Sequence, residues 1–302
     1  MTLKITLDIY SGRPNPVAQL KGKAAQDLLE RLRPIRRLER GEKGLPSEPT
    51  LGYRGLIIEQ MGGRTANLPQ VFRLAHGDLF GPHLAHRAAD ADVEDFICGS
   101  TGPLRTLELG RNFPSLLARE IRRFREVRLR SSIRHATPRP RRSCRCAPLY
   151  EPAWWNDGGQ RELHNNCYNY ATNYRTDAFN GASRDASFPG KAAGMVFTAY
   201  TREALIAAAV ADGLIEYKLA HNQCPSEGHL VALVFVNEGF LQDFHFYRKG
   251  RNGSWSHKPG LSPVTNVDNS GATISDPRKA DRGIYADFGT FMVAKHGHFK
   301  IV

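Results

Sequence analysis

Apolar and polar residues alternate along the start of the chain, as they do in a half-buried β-strand. Successive side chains of a strand point to opposite faces, so a period of two predicts this element. The alternating apolar residues are Leu3, Ile5, Leu7 and Ile9. A turn-forming run over residues 11–16 ends the strand, and shorter helical and strand-like stretches follow it. We predict a small α+β N-terminal module over residues 1–118.

The second half of the chain combines one helical stripe with several strands. The stripe consists of Cys167, Tyr170, Ala171, Tyr174 and Ala178. These positions repeat with helical spacing, and Asn165 or Asn166 is a suitable N-cap for the helix. Alternating or continuous apolar runs at 228–236, 241–248 and 254–258 predict three strands joined by turns. The pattern therefore predicts an α+β domain over residues 149–302, with the helix packed on an antiparallel sheet.

A basic segment separates these two regions. Eleven arginines and two glutamates between Arg119 and Arg145 give this segment a charge of +9, out of +12 for the whole chain. Its second part is rich in Pro and Ser and has no periodicity, so we assign residues 119–148 to a helix end and a linker. A charge concentrated in this way predicts weak binding of polyanions.

The chain contains no apolar run of about 18 residues, which argues against insertion into a membrane. Its start lacks the apolar core of a signal peptide, so we expect production in the cytoplasm and, if exported, a dedicated secretion system. Five cysteines are an odd and sparse set that favours a reducing compartment. We expect no cofactor and no metal, because Cys144 and Cys146 lack two further ligands at a suitable spacing.

The strongest candidate chemistry is a thiolate with an imidazole base. If Cys167 opens its helix, the helix dipole lowers the thiol pKa from its usual value of about 8.5. An odd-length hairpin loop after Arg248 places His245 opposite His257, whereas a four-residue loop breaks this pairing. With the odd register, His245 serves as the base and His257 orients it.

This order of elements resembles the NlpC-type papain-like cysteine hydrolases over residues 155–260, although Asn and Tyr flank the cysteine where that family usually has Asp and a small residue. The resemblance implies a papain-like fold with a nucleophile at the start of a helix. It further implies that Cys167 is the nucleophile, His245 the base and His257 the third polar residue. Asp268 and Asn266 are alternatives as the orienting group, and Asn165 or Tyr168 are candidates for the oxyanion site.

The implied function is a cysteine peptidase or amidase that cleaves an amide bond in a protein or a peptidoglycan stem peptide. The profile resembles the amidase effectors of bacterial type VI secretion, which are antibacterial toxins, so an inhibitor or immunity protein is an expected partner. One alternative is a nucleic-acid or polyanion-binding protein that acts through Arg119–Arg145. Another is a transferase or deamidase that uses the same Cys and His on a protein substrate.

Overall fold

The computed structural model describes residues 1–38, 49–63, 65, 67–81, 84–107, 109–130, 144–179, 186–217 and 222–302. The described residues form two compact units. The first lies within Met1–Ile9, Asn15–Glu48 and Tyr53–Arg125, and the second within Tyr10–Pro14, Pro49–Gly52 and Glu126–Val302. Two short N-terminal segments therefore belong to the second unit. Residues 131–143 of the basic segment lie outside the described part of the chain, and the expected polyanion binding stays a prediction.

The first unit is built on an antiparallel sheet. In the part of the chain that the structure describes, seven strands lie in the order β2-β1-β4-β5-β6-β7-β3. They are β1 (Thr2–Leu7), β2 (Val17–Lys21), β3 (Pro34–Arg37), β4 (Leu56–Met61), β5 (Val71–Ala75), β6 (Asp78–Gly81) and β7 (Leu84–Ala88). The helices are α1 (Gly22–Arg31), α2 (Val93–Cys98) and α3 (Phe113–Arg130), with a 3₁₀ turn at Pro103–Leu107. The boundary between the units falls within α3.

A buried ion-pair cluster lies just beyond β1 in this unit. Asp8 is fully buried and contacts Arg54 at 2.6 Å and Arg73 at 2.7 Å. Burial alone would raise the pKa of Asp8, but the two guanidinium charges lower it to about 2. The carboxylate therefore stays ionised in the core, because both of its oxygens have a cationic partner.

The second unit contains a smaller antiparallel sheet. Among its described residues, five strands lie in the order β11-β10-β9-β12-β8. They are β8 (Ile215–Tyr217), β9 (His229–Glu238), β10 (Leu241–Lys249), β11 (Trp255–His257) and β12 (Asp287–Ala294). The predicted strands correspond to β9, β10 and β11. No strand was predicted for β12, which pairs with β9 at the centre of the sheet.

Short helices accompany this sheet. They are α4 (Pro152–Trp155), α5 (Gln160–Leu163), α6 (Cys167–Thr172) and α7 (Arg202–Ala211). Helix α6 is shorter than the stripe predicted, because Asn173 adopts a left-handed conformation with φ 56° and ends it. The core around α6 includes residues of α7 and the sheet, among them Leu205, Val231, Phe244, Phe246 and Met292. The α+β class is thus confirmed.

A disulfide joins Cys144 to Cys224, 80 residues further along the chain. The expectation of a reducing compartment, drawn from the sparse and odd set of cysteines, did not anticipate this bond. The bond also uses Cys144, so Cys144 and Cys146 are not half of a metal site. None of the described helices is long and apolar enough to cross a membrane.

Candidate functional site

The start of helix α6 is fixed by a reciprocal cap. The side-chain oxygen of Asn166 accepts from the backbone N–H of Tyr168 at 3.0 Å and of Asn169 at 3.2 Å. The side-chain oxygen of Asn169 accepts in turn from the N–H of Asn166 at 3.1 Å. This capping box satisfies N–H groups that have no partner inside the helix. Cys167 is consequently the first residue of the helix.

The thiol of Cys167 is fully buried against β10. Its sulfur lies 3.9 Å from the carbonyl oxygen of Phe244, to which the thiol donates. Burial raises the pKa of Cys167, and the nearby charge of Asp243 raises it further. The expected lowering by the helix dipole is therefore outweighed by loss of solvation, and the thiol stays protonated.

The structure brings His245 and His257 together. The two rings are nearly perpendicular, with Nε2 of His245 3.0 Å from Nδ1 of His257. Nε2 of His257 lies 3.1 Å from the carbonyl oxygen of Val267 and must donate to it, because a carbonyl only accepts. Nδ1 of a neutral His257 then accepts, so Nε2 of His245 donates. Burial lowers the pKa of His257 to about 4, which keeps its ring neutral.

The hairpin register differs from the predicted one by one pair. Tyr247 lies opposite His257, and Lys249 lies opposite Trp255. Strand β10 runs one residue beyond Arg248, so the five-residue connection starts later than expected. The connection still has an odd number of residues, which the predicted pairing of the histidines required. The side chains of β10 and β11 therefore keep their predicted alternation between the two faces of the sheet. His245 therefore meets His257 diagonally rather than directly.

A turn segment from the N-terminal region, Tyr10–Pro14, completes the surroundings of β10. The carboxylate of Asp243 accepts from the N–H of Ser11 at 2.7 Å, of Gly12 at 3.3 Å and of Arg13 at 3.1 Å. The hydroxyl of Tyr285 donates to the same carboxylate at 2.5 Å. Burial raises the pKa of Asp243, while these donors act against that rise.

Gly12 is required by the close approach of this turn segment to β10. A Cβ atom at Gly12 would lie 2.5 Å from both the ring and the carbonyl oxygen of Phe244. The backbone carbonyl oxygen of Gly12 accepts from the side chain of Asn166 at 3.1 Å. The turn segment therefore contacts both β10 and the cap of α6, and Cys167, which follows that cap, has no exposed surface.

The candidate oxyanion residues hold local structure. Asn165 accepts from the N–H of Thr176 at 3.0 Å and donates to Asp177 at 2.9 Å. The hydroxyl of Tyr168 donates to Asp212 at 2.9 Å, and its ring packs against Phe246. Both residues are buried.

The candidate orienting residues belong to a loop. Asp268 accepts from the N–H groups of Ser270 at 2.9 Å, Ala272 at 3.1 Å and Asp281 at 2.9 Å. The backbone oxygen of Asn266 accepts from Ile274 at 2.9 Å. The carbonyl of Val267, between these two residues, is the group that contacts His257.

Asp243 and Tyr285 were missed by the sequence analysis. The turn at residues 11–16 was visible as a turn, but nothing local indicates that its N–H groups bind a carboxylate 232 positions away. Within the described ranges, no group of three or more His, Cys, Asp or Glu residues could hold a metal ion.

Comparison with known proteins gives one informative relation. No protein-family model matches the chain. No solved structure matches it either. The chain is 42% identical over 146 residues to insoluble matrix shell protein 1 of Ruditapes philippinarum. The aligned part is 47% of this chain and 87% of that protein.

This relation corrects the predicted function. A relative described as an insoluble protein of a shell matrix contradicts the interpretation as a bacterial amidase toxin. It also contradicts the expectation of a bacterial cytoplasmic protein awaiting export. The catalytic roles of individual residues stay predictions. Because nearly nine-tenths of the relative aligns at this identity, the chain belongs to the family of insoluble matrix shell protein 1.

Proposed function

We propose that this chain is a structural protein retained in an insoluble extracellular matrix. The observation that carries the proposal is its 42% identity to insoluble matrix shell protein 1, over 87% of that protein. A relation of this extent makes a shared role in a matrix the best-supported function. The proposal concerns retention and mechanical persistence, and it requires no chemical turnover.

The use of the buried polar groups supports a structural role. The ring of His257 bridges His245 and the carbonyl of Val267, and the carboxylate of Asp243 holds a turn segment and a tyrosine hydroxyl. These contacts hold one part of the second unit to another. Groups that are desolvated and hydrogen-bonded inside a fold stabilise one arrangement of the chain.

The disulfide supports the extracellular location that the proposal requires. Disulfides persist in oxidising environments and are rare in the cytosol. The bond between Cys144 and Cys224 closes a large loop within the second unit. A protein that must survive outside a cell gains from such a cross-link, because it restricts the unfolded chain.

Retention can be measured by sedimentation. We would mix the purified full chain with particles of chitin, cellulose and calcium carbonate, wash at about 0.15 M salt, and quantify the bound protein. Lysozyme, another small basic protein, controls for adsorption by charge alone. We expect the chain to remain on at least one matrix under washes that release lysozyme.

Two results would overturn this proposal. One is recovery of the chain in the supernatant with all three matrices. The other is release of product from a peptide or peptidoglycan substrate that Cys167→Ala abolishes while the variant keeps its melting temperature.

The papain-like arrangement is a proposal about fold alone. It is supported by a cysteine at the first position of α6 and by the packing of that helix beside β10. An experimental structure that superposes α6, β9 and β10 on the equivalent elements of a papain-like domain would support it. A different connection among these elements would refute it.

A further inference from the structure

A free cysteine of the second unit lies close to the disulfide, both along the chain and through a hydrogen bond. Cys144 and Cys224 form the disulfide, and Cys146 is a free cysteine two residues after Cys144. The thiol of Cys146 donates to the carbonyl oxygen of Ser226 at 3.6 Å, two residues after Cys224. The free thiol therefore lies beside the segment that carries one end of the disulfide.

The three cysteines differ in their exposure to solvent. Cys146 is exposed, Cys224 is half-buried and Cys144 is buried. A thiolate from another molecule can approach the sulfur of Cys224 more readily than that of Cys144. Access and the choice of attacked sulfur both govern the rate of thiol–disulfide exchange.

The remaining thiols cannot take this role. Cys98 and Cys167 are buried, and burial raises the pKa of each of them. The thiolate is the reactive form, so neither competes with an exposed cysteine. Cys146 is the exposed thiol of the described residues.

We propose that Cys146 links copies of this chain by exchange with the Cys144–Cys224 disulfide of a second copy. The thiolate of Cys146 attacks the sulfur of Cys224, a new bond forms between these sulfurs, and the bond between Cys224 and Cys144 breaks. The electron pair leaves with Cys144, which takes up a proton. One disulfide is consumed and one is formed, so no oxidant is needed.

The attacked copy still carries its own Cys146, which attacks the next copy in the same way. Repetition converts intrachain disulfides into interchain ones and yields a covalent chain of protein molecules. Exchange between copies is favoured where the local concentration is high, because closure within one copy competes with it. The inference rests on the proposed matrix function and supplies a chemical cause for insolubility.

The test uses the full chain without any oxidant. Protein at high concentration, and at about tenfold lower concentration, is held under argon near pH 8, close to the usual thiol pKa. Samples are quenched with iodoacetamide and separated without reductant. We expect a ladder of multimers that reductant removes and that weakens on dilution. Mass spectrometry should find Cys146 joined to Cys224, with alkylated Cys144.

Two matched cysteine variants test whether Cys146 is the attacking thiol. Cys146→Ser should lose the ladder, because the attacking thiol is absent while the disulfide remains. Cys98→Ser should keep it, because that thiol is buried. A ladder that persists in Cys146→Ser, a wild-type protein that stays monomeric at high concentration, or a Cys146–Cys224 bond found only within one copy would each overturn the proposal. Sedimentation of the same samples with matrix particles tests the proposed function separately, since retained monomer would refute exchange alone.

Discussion

At the scale of single residues, the contribution of a buried polar group to stability depends on whether it has a hydrogen-bond partner. The hydroxyl of Tyr168 donates to Asp212 at 2.9 Å. Among the described residues the equally buried hydroxyl of Tyr247 has no partner, although its ring stacks on His257. An unpaired polar group in the core costs free energy that a paired one largely recovers.

We predict opposite outcomes for the same substitution at these two tyrosines. Tyr168→Phe should lower the free energy of unfolding by about 1–2 kcal/mol, because Asp212 loses a donor. Tyr247→Phe should leave it unchanged or raise it by up to about 1 kcal/mol. Urea denaturation of both variants measures the difference. A larger loss for Tyr247→Phe than for Tyr168→Phe would contradict the assignment of partners.

We also predict that stability falls as the pH drops from about 6.5 to about 4. The folded pKa of His257 is about 4, against 6.5 in the unfolded chain, so within this window the unfolded state binds the proton first. The contribution is fully present above pH 6.5. It amounts to about 3 kcal/mol over the window, and His229, whose folded pKa is about 3, adds to the slope.

Denaturation series at several pH values measure this slope. His257→Gln should reduce it, and His298→Gln should retain it, because His298 is exposed. An unchanged slope in His257→Gln would show that the ring is not held neutral by burial.

At the scale of elements, strand β10 organises the second unit. It pairs with β9 along its length and with β11 over its last residues, and α6 packs against it. The turn segment Tyr10–Pro14 is held to it by Asp243, and the hydroxyl of Tyr10 donates to the carbonyl of Phe240 at 2.6 Å. A segment from the N-terminal region thus becomes part of the C-terminal core.

Gly12→Ala tests this attachment. The added methyl would overlap the ring and carbonyl of Phe244, so we expect a loss of about 1–3 kcal/mol in the free energy of unfolding. Gly159→Ala is the matched control, because the nearest atom to its Cβ lies at 3.7 Å, and it should cost less than about 1 kcal/mol. Equal costs at the two glycines would show that the turn segment does not pack closely in solution.

At the scale of the whole molecule, the disulfide is the covalent constraint on the second unit. Its ends are 80 residues apart, and closing a loop of that length restricts the unfolded chain strongly. The loop includes α6 and α7, so the cross-link constrains the part of the chain that carries Cys167 and its helix. The free Cys146 lies outside this bond and contributes no such constraint.

Removal of the disulfide should lower the free energy of unfolding. We expect the double variant Cys144→Ser, Cys224→Ser to lose up to about 4 kcal/mol of stability, measured by thermal and urea unfolding. Cys146→Ser should change stability by less than about 0.5 kcal/mol, because its side chain is exposed. Equal effects of the two changes would mean that the disulfide does not form in solution.

Much of the local structure was determined by the sequence itself. The presence of an asparagine cap before Cys167 and the alternation along β10 follow from residue types and periods within a few positions, and they were predictable for that reason. The antiparallel pairing of β10 and β11 followed from a short connection. The exact register did not, because the strand end at Lys249 depends on packing rather than on a local signal.

The chemical state of the candidate site was decided only by the tertiary structure. The pKa of Cys167 depends on desolvation by surrounding elements, and a position at the start of a helix cannot reveal it. The pairing of Cys144 with Cys224 and the contact of Asp243 with Ser11 join residues 80 and 232 positions apart. A local pattern fixes the period of an element and which side of it is apolar, whereas burial and long-range partners arise only when the elements pack together.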